Sequence, residues 1–185
     1  MSDKHKKNIT ERLTEQEIED TLKNVKDMLL NLEPKQQHIM AEWLKVWKIY
    51  LKYENSFIPA KLKYYKRGEI VLAHFGYNTG SELGGTHYAV IVENNNNKAN
   101  SNVVVVPLSS LESGKSPDDL HKSEVYLGNI LPDTNKNSYA MPLQIRAISK
   151  LRIIKPKNNK NDVYMITNSQ LDEIDNKIKQ LYTHN

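Results

Sequence analysis

Apolar residues fall along this chain in two rhythms. Ile18, Leu22, Val25, Leu29 and Leu32 recur at steps of three and four, which sets them on one face of a helix. Thr14 followed by Glu17 is a capping-box pattern and marks where that helix starts. Pro34 suits the first turn of a second helix, because its missing N–H has no helical partner there. Met40, Trp43, Trp47 and Tyr50 then carry an apolar stripe to about Tyr53. The spacing predicts a helical hairpin over 1–55. Two short helices cannot bury such surface alone, so the hairpin is expected to pack on the rest of the chain, on a second copy or on a partner. Residues 1–10, polar and basic, are expected to be disordered.

Residues 56–66 read as a linker, with Pro59 arguing against helix, and beyond it the rhythm changes. Ile70-Val71-Leu72, Ala89-Val90-Ile91-Val92 and Val103 to Val106 are too short and too β-branched for buried helices, and Gly, Asn and Ser clusters bound them. They predict three strands. A loop from Gly76 to Gly85, longer than a hairpin turn and rich in glycine, joins the first two; long loops of this kind usually carry function. The asparagines from Asn94 to Asn97, with Asn100 and Asn102, form only a turn. A second loop spans Leu111 to Lys122, a fourth strand lies around Glu124 to Leu127, and a third loop runs from Gly128 to Asn137. A strand pair is expected between Tyr139 and Ile154, and a lysine- and asparagine-rich turn from Lys155 to Asn161. Ser169 and Asp172 should cap a last helix with Leu171, Ile174, Ile178 and Leu181 along one face. The pattern is mostly β with helices (α+β): five or six short strands curling into a small barrel at 67–185, with helices at both ends.

Composition narrows the chemistry. There is no cysteine among the 185 residues, which removes disulfides and cysteine-based zinc sites. No run approaches the ~18 apolar residues of a membrane span, and no apolar stretch follows the basic start, so a soluble cytoplasmic protein is expected. The net charge of +4 favours a nucleic-acid partner only mildly. Lys61, Lys63, Lys66 and Arg67 interleave with Tyr64 and Tyr65, a cluster fit for phosphate and bases or, equally, a linker whose tyrosines pack on the barrel edge. His38, His74, His121 and His184 fit no metal spacing and no acidic triad is apparent, so neither metal nor cofactor is expected.

Arg67-Gly68-Glu69 opening a strand, Gly80-Ser81-Glu82-x-Gly84-Gly85 before the second strand, Val103 to Ser109 as a third, and Gln144 to Lys150 further on resemble, in that order, the MazF/PemK family of toxin endoribonucleases. The resemblance covers about 66–183 and leaves the N-terminal hairpin unaccounted for. It implies an SH3-like barrel of the plasmid-toxin type, a homodimer, a cognate antitoxin, and cleavage of single-stranded RNA. Loop residues 76–86 and 111–122 would shape the RNA groove, with contacts from Arg67, Tyr77, Asn78, Ser81, Gly84, Gly85, Thr86, Ser110 and Lys115.

The expected catalytic residues are His87, Ser109, Arg146 and Glu82. His87 stands where the polar loop meets the second strand, at a position the family usually fills with arginine followed by proline; here the pair is His-Tyr. Imidazole can both take and give a proton near neutrality, which guanidinium cannot. RNA brings its own nucleophile, the 2′-hydroxyl, so a base, an acid and charge stabilisation suffice. Ser109 matches the family's threonine and could donate to a phosphate oxygen. Arg146, among aliphatics, needs a partner: substrate phosphate, Glu82 or Glu69. Glu82 could orient His87 or only bond its own loop. A catalytically weak nucleic-acid-binding or regulatory module, with the hairpin serving dimerisation or partner binding, is the competing expectation; a third is that the hairpin covers the barrel's own groove and restrains it in cis.

Overall fold

The computed structural model describes residues 11–132, 134–158, 160 and 162–184, so the expectation for residues 1–10 lies outside the described residues. Contacts divide the chain into two compact units, 1–44 and 45–185. The first unit holds α1 (Glu15–Leu30) and the start of α2 (Pro34–Glu54). Thr14 and Glu17 form the capping box that their spacing predicts, and Gln37 Nε2 donates to the Leu29 carbonyl at 3.0 Å to tie the hairpin together.

The second unit takes the last turns of α2, eight strands and α3 (Asn168–Tyr182). The strands are β1 (Glu69–Gly76), β2 (Gly85–Ile91), β3 (Asn102–Ser110), β4 (Val125–Gly128), β5 (Ser138–Ala140), β6 (Arg146–Ser149), β7 (Ile153–Lys155) and β8 (Tyr164–Met165). All are antiparallel, in the order β4-β5-β3-β2-β1-β7, with β6 also on β3 and β8 also on β1. β3 bends the sheet: its first half pairs β6, from Asn102 opposite Ser149 to Val105 opposite Arg146, and its second half pairs β5, from Leu108 opposite Ala140 to Ser110 opposite Ser138.

The unbroken apolar runs follow from burial on both faces. Ile70, Val90, Val106 and Leu108 enter one core with Val125, Leu127, Ala140 and the α3 residues Leu171 and Ile174. Their neighbours Val71, Ala73, Phe75, Ala89, Ile91, Val103 and Val105 turn into a second core with Tyr65, Ile148 and Ile153. Alternate side chains in the middle of each strand thus serve opposite cores, and polar residues are left to the strand ends.

Three expectations need correction. The strand pair between Tyr139 and Ile154 is three short strands that do not pair with one another: β5 joins β3 and β4, β6 joins β3, and β7 joins β1. Pro142 and Lys150 each begin a 3-10 turn that redirects the chain between them. The cap of α3 is Thr167 with Gln170, not Ser169 with Asp172, which lie inside the helix. The linker also contains one 3-10 turn, Pro59–Lys61, where proline occupies the tolerated first position.

Much of the basic and aromatic cluster before β1 proves structural. Tyr65 is fully buried and donates through its hydroxyl to the Pro156 carbonyl at 2.8 Å. Lys63 is buried in an ion pair with Glu69. Tyr64 remains exposed.

Candidate active site

The β1–β2 loop is shaped by its backbone. A Cβ on Gly84 would stand 2.7 Å from the Gly76 carbonyl, so the two ends of the loop approach as closely as they do only because residue 84 is glycine. Gly85 follows at φ 79°, in the left-handed region, and there β2 begins. Asn78 Nδ2 donates to the Phe75 carbonyl at 3.2 Å and the Leu83 carbonyl at 2.5 Å, clamping the loop across its neck.

His87 is the third residue of β2, opposite Ala73 on β1. It alternates with Ala89 and Ile91 and so projects on the face of the second core, with its ring edge-on to Phe75 at 6.3 Å between centroids and 76° between planes. The imidazole is half-buried, and its polar neighbours are the backbone carbonyls of Leu108 and Gly84 rather than Glu82. Burial lowers its pKa below the ordinary histidine value; the two carbonyls favour the protonated ring but do not outweigh the loss of solvation.

Ser109 arrives from β3. Ala89 pairs with Pro107, where the pairing of β2 with β3 ends, and Ser109, alternating with Pro107, lies beyond that point on the same face as His87. Arg146 comes from β6 opposite Val105, again on that face. Its guanidinium lies 5.5 Å over the Phe75 ring, and Nη2 donates to Gln144 Oε1 at 2.8 Å. The same Oε1 accepts the Leu83 N–H at 3.2 Å, while Gln144 Nε2 donates to the Ser81 carbonyl at 3.5 Å. Of the partners considered for Arg146, Glu69 is taken by Lys63. His87 and Arg146 therefore both pack against Phe75 at the loop end of the barrel, with Ser109 on the same face of β3.

Two members of this group, Phe75 and Gln144, are absent from the expected site. Phe75 reads as one more core residue at the end of an apolar strand. Gln144 offers only one signal, its place two residues before Arg146.

The other expected residues scatter. Glu82 is exposed at the loop tip, its N–H bonded to the Thr79 carbonyl at 3.3 Å. Ser81 and Thr86 are exposed and Tyr77 is half-buried on the same loop. Ser110 pairs with Ser138 at the end of β3. Lys115 is exposed in the second loop, 3.0 Å from Glu112, and within electrostatic reach of Tyr139, the cross-strand partner of Ser109. Arg67 lies elsewhere. It bonds Asp175 of α3 and the Val92 carbonyl, at the far end of β2 and about 16 Å along the strand from His87.

A second histidine is not part of this group. His74 Nδ1 meets the Tyr50 hydroxyl, and burial, then Arg152 and Lys157, lower its pKa. Among the described residues no group of three or more His, Asp or Glu converges to hold a metal ion, and no helix is long and apolar enough to cross a membrane.

Residues 66–182 match the family described as PemK-like, MazF-like toxin of type II toxin-antitoxin system. No curated protein matches the chain. Among solved structures, a mycobacterial endoribonuclease in complex with its cognate antitoxin is 20% identical, with a TM-score of 0.42, over 62% of this chain and 91% of that one. A MazF from Deinococcus radiodurans is 18% identical, with a TM-score of 0.46, over 64% and 97%. The MazE-MazF complex from the same organism is 15% identical, with a TM-score of 0.41, over 66% and 100%.

Proposed function

Because this chain belongs to the PemK-like, MazF-like toxins of type II toxin-antitoxin systems, we propose that it is a metal-independent, sequence-selective endoribonuclease acting on single-stranded RNA, messenger RNA included. The observation that carries this reading is the packing of His87 and Arg146 against Phe75, on the face that also carries Ser109.

In the proposed reaction the RNA 2′-hydroxyl attacks the adjacent phosphorus, and the bond to the 5′-oxygen of the next nucleotide breaks. The products are a 2′,3′-cyclic phosphate and a 5′-hydroxyl. His87, neutral at physiological pH because of its burial, accepts the 2′-hydroxyl proton; an equal proton must reach the leaving oxygen, from the resulting imidazolium or from solvent. Ser109 donates its hydroxyl hydrogen to a phosphate oxygen. Arg146, held by Gln144, stabilises the extra negative charge of the pentavalent phosphate. The 2′-hydroxyl is the nucleophile, so no metal-bound hydroxide is required. Glu82 has no assigned step. The exposed loops 76–86 and 111–122 would border the RNA, with Tyr77, Asn78, Ser81, Gly84, Gly85, Thr86, Ser110 and Lys115 along them, whereas Arg67 acts by fixing α3 to β2.

As a toxin of a two-component system the protein is proposed to work in the cytoplasm, as a homodimer restrained by a cognate antitoxin. The test is cleavage of a long single-stranded RNA with excess EDTA beside His87→Ala. Discrete cuts with 2′,3′-cyclic ends, lost in the variant, support the reading. Cleavage that requires an added divalent ion, or that survives His87→Ala, refutes the mechanism. Tight RNA binding without cleavage would make the chain a binding module instead.

A further inference from the structure

Beside the reacting groups, β3, β5 and β4 carry one continuous cross-strand row: Ser109 opposite Tyr139, and Tyr139 opposite Tyr126. The intervening residues of these strands, Leu108, Ala140 and Val125, enter the core under α3, so Ser109, Tyr139 and Tyr126 project on the opposite face, the face of His87. Over β1, β2 and β6 that face is filled by the second core. Over β4 and β5 it is open: Tyr126 is 37% exposed and Tyr139 is half-buried. Among the described residues neither phenol hydroxyl has a hydrogen-bond partner, unlike the buried Tyr65 and its Pro156 carbonyl. Lys115, from the loop that precedes β4, adds a cation within electrostatic reach of Tyr139.

Exposed aromatics on a sheet surface, next to a cation and leading away from a hydroxyl and an imidazole, have the composition of a base-stacking platform. We propose that Tyr139 and Tyr126 form a nucleobase subsite, in which the base of a nucleotide flanking the scissile phosphate stacks on Tyr139 and the next base rests on Tyr126. Lys115 turns from Glu112 to the phosphate between them. The row gives direction as well as affinity: with the phosphate at Ser109, successive strands 4.7–4.9 Å apart set the aromatic side chains at steps a splayed single strand can follow. This subsite rests on the ribonuclease reading above and names where that reading's substrate lies.

The experiment uses the full chain. A single-stranded RNA spanning a mapped cleavage site, with 2′-deoxyribose at that site to block attack, is titrated against wild type, Tyr139→Ala, Tyr139→Phe and Tyr126→Ala. Loss of stacking at Tyr139 weakens binding about tenfold or more, and Tyr139→Phe stays within about threefold, because the ring and not the hydroxyl carries the contact. With cleavable RNA, Tyr139→Ala raises KM and leaves kcat near wild type. Thermal melts check that the variants fold. Should Tyr139→Ala not fold, RNA carrying 5-iodouridine at the flanking positions is crosslinked to the wild type, and adducts must map to 124–128 or 138–140. Unchanged affinity in Tyr139→Ala, or adducts confined to other segments, overturns the subsite while His87-dependent cleavage leaves the ribonuclease reading standing. Failure of the wild type both to bind and to cleave overturns both.

Discussion

At the scale of single residues, the proposed chemistry turns on a half-buried imidazole. Burial lowers the His87 pKa, so the base form persists to a lower pH than for a free histidine, ordinarily near ~6.5. The expected kcat/KM for RNA is flat near neutrality and falls as pH drops, with its inflection below ~6.5; an inflection at or above that value would contradict His87 as base. The same shift acts on stability. The unfolded chain protonates at His87 and His74 before the folded chain does, so stability is complete above ~6.5 and is lost as pH falls toward the lower folded values. In the proposed reaction Gln144 is a positioning residue, holding Arg146 and the Leu83 N–H on one oxygen. Gln144→Ala should lower kcat about tenfold with KM and melting temperature little changed. Gln144→Glu, which keeps that oxygen, should recover much of the rate. His87 was legible as a candidate because a titratable side chain at a loop-to-strand junction stands out locally. Phe75 and Gln144 were not, since each matters only through residues brought near by pairing of distant strands.

At the scale of elements, β1, β2 and β3 were readable because strands buried on both faces leave uninterrupted β-branched runs. The segment after Ser138 was not. Its strands are three or four residues long, and their partners are set by the bend in β3 rather than by their own sequence. The β1–β2 loop gives a direct prediction. Gly84→Ala drives a methyl into the Gly76 carbonyl and should cost about 1–3 kcal/mol, while reducing cleavage through displacement of the His87 end of β2. Chemical denaturation beside an activity assay measures both, and an unperturbed variant would show that the loop ends can part freely. The Lys63–Glu69 pair, with side chains only 4% and 3% exposed, ties the linker to β1. Lys63→Met alone leaves a buried carboxylate and should cost about 3–5 kcal/mol, whereas Lys63→Met with Glu69→Leu should cost far less. Equal losses in the single and double variants would mean that the charge itself is not what makes the single change costly.

At the scale of the whole chain, apolar spacing predicts a hairpin over 1–55, whereas contacts divide the chain inside α2, at 44 and 45. The reason lies in a few side chains beyond that point. Tyr50 bonds His74 of β1 and meets its ring at 5.9 Å between centroids, and Trp47, Tyr50 and Leu51 line a cavity of about 380 Å³ with Leu151 and Arg152. An amphipathic stripe runs along α2 without a break, so periodicity alone could not show that its last turns belong with the β unit. Two truncations separate these halves of one helix. Removing residues 1–44 keeps every contact just named and should leave the melting temperature of the β unit close to that of the full chain. Removing 1–55 exposes the His74 ring and the apolar floor beside Leu151, with an expected loss of about 2 kcal/mol, or roughly 4–8 °C in a unit of this size. If both truncations melt alike, residues 45–54 contribute nothing to the β unit, and the division falls at the end of the helix after all. If the shorter truncation also cleaves RNA faster than the full chain, residues 1–44 restrain the site in cis; unchanged turnover assigns them to another task.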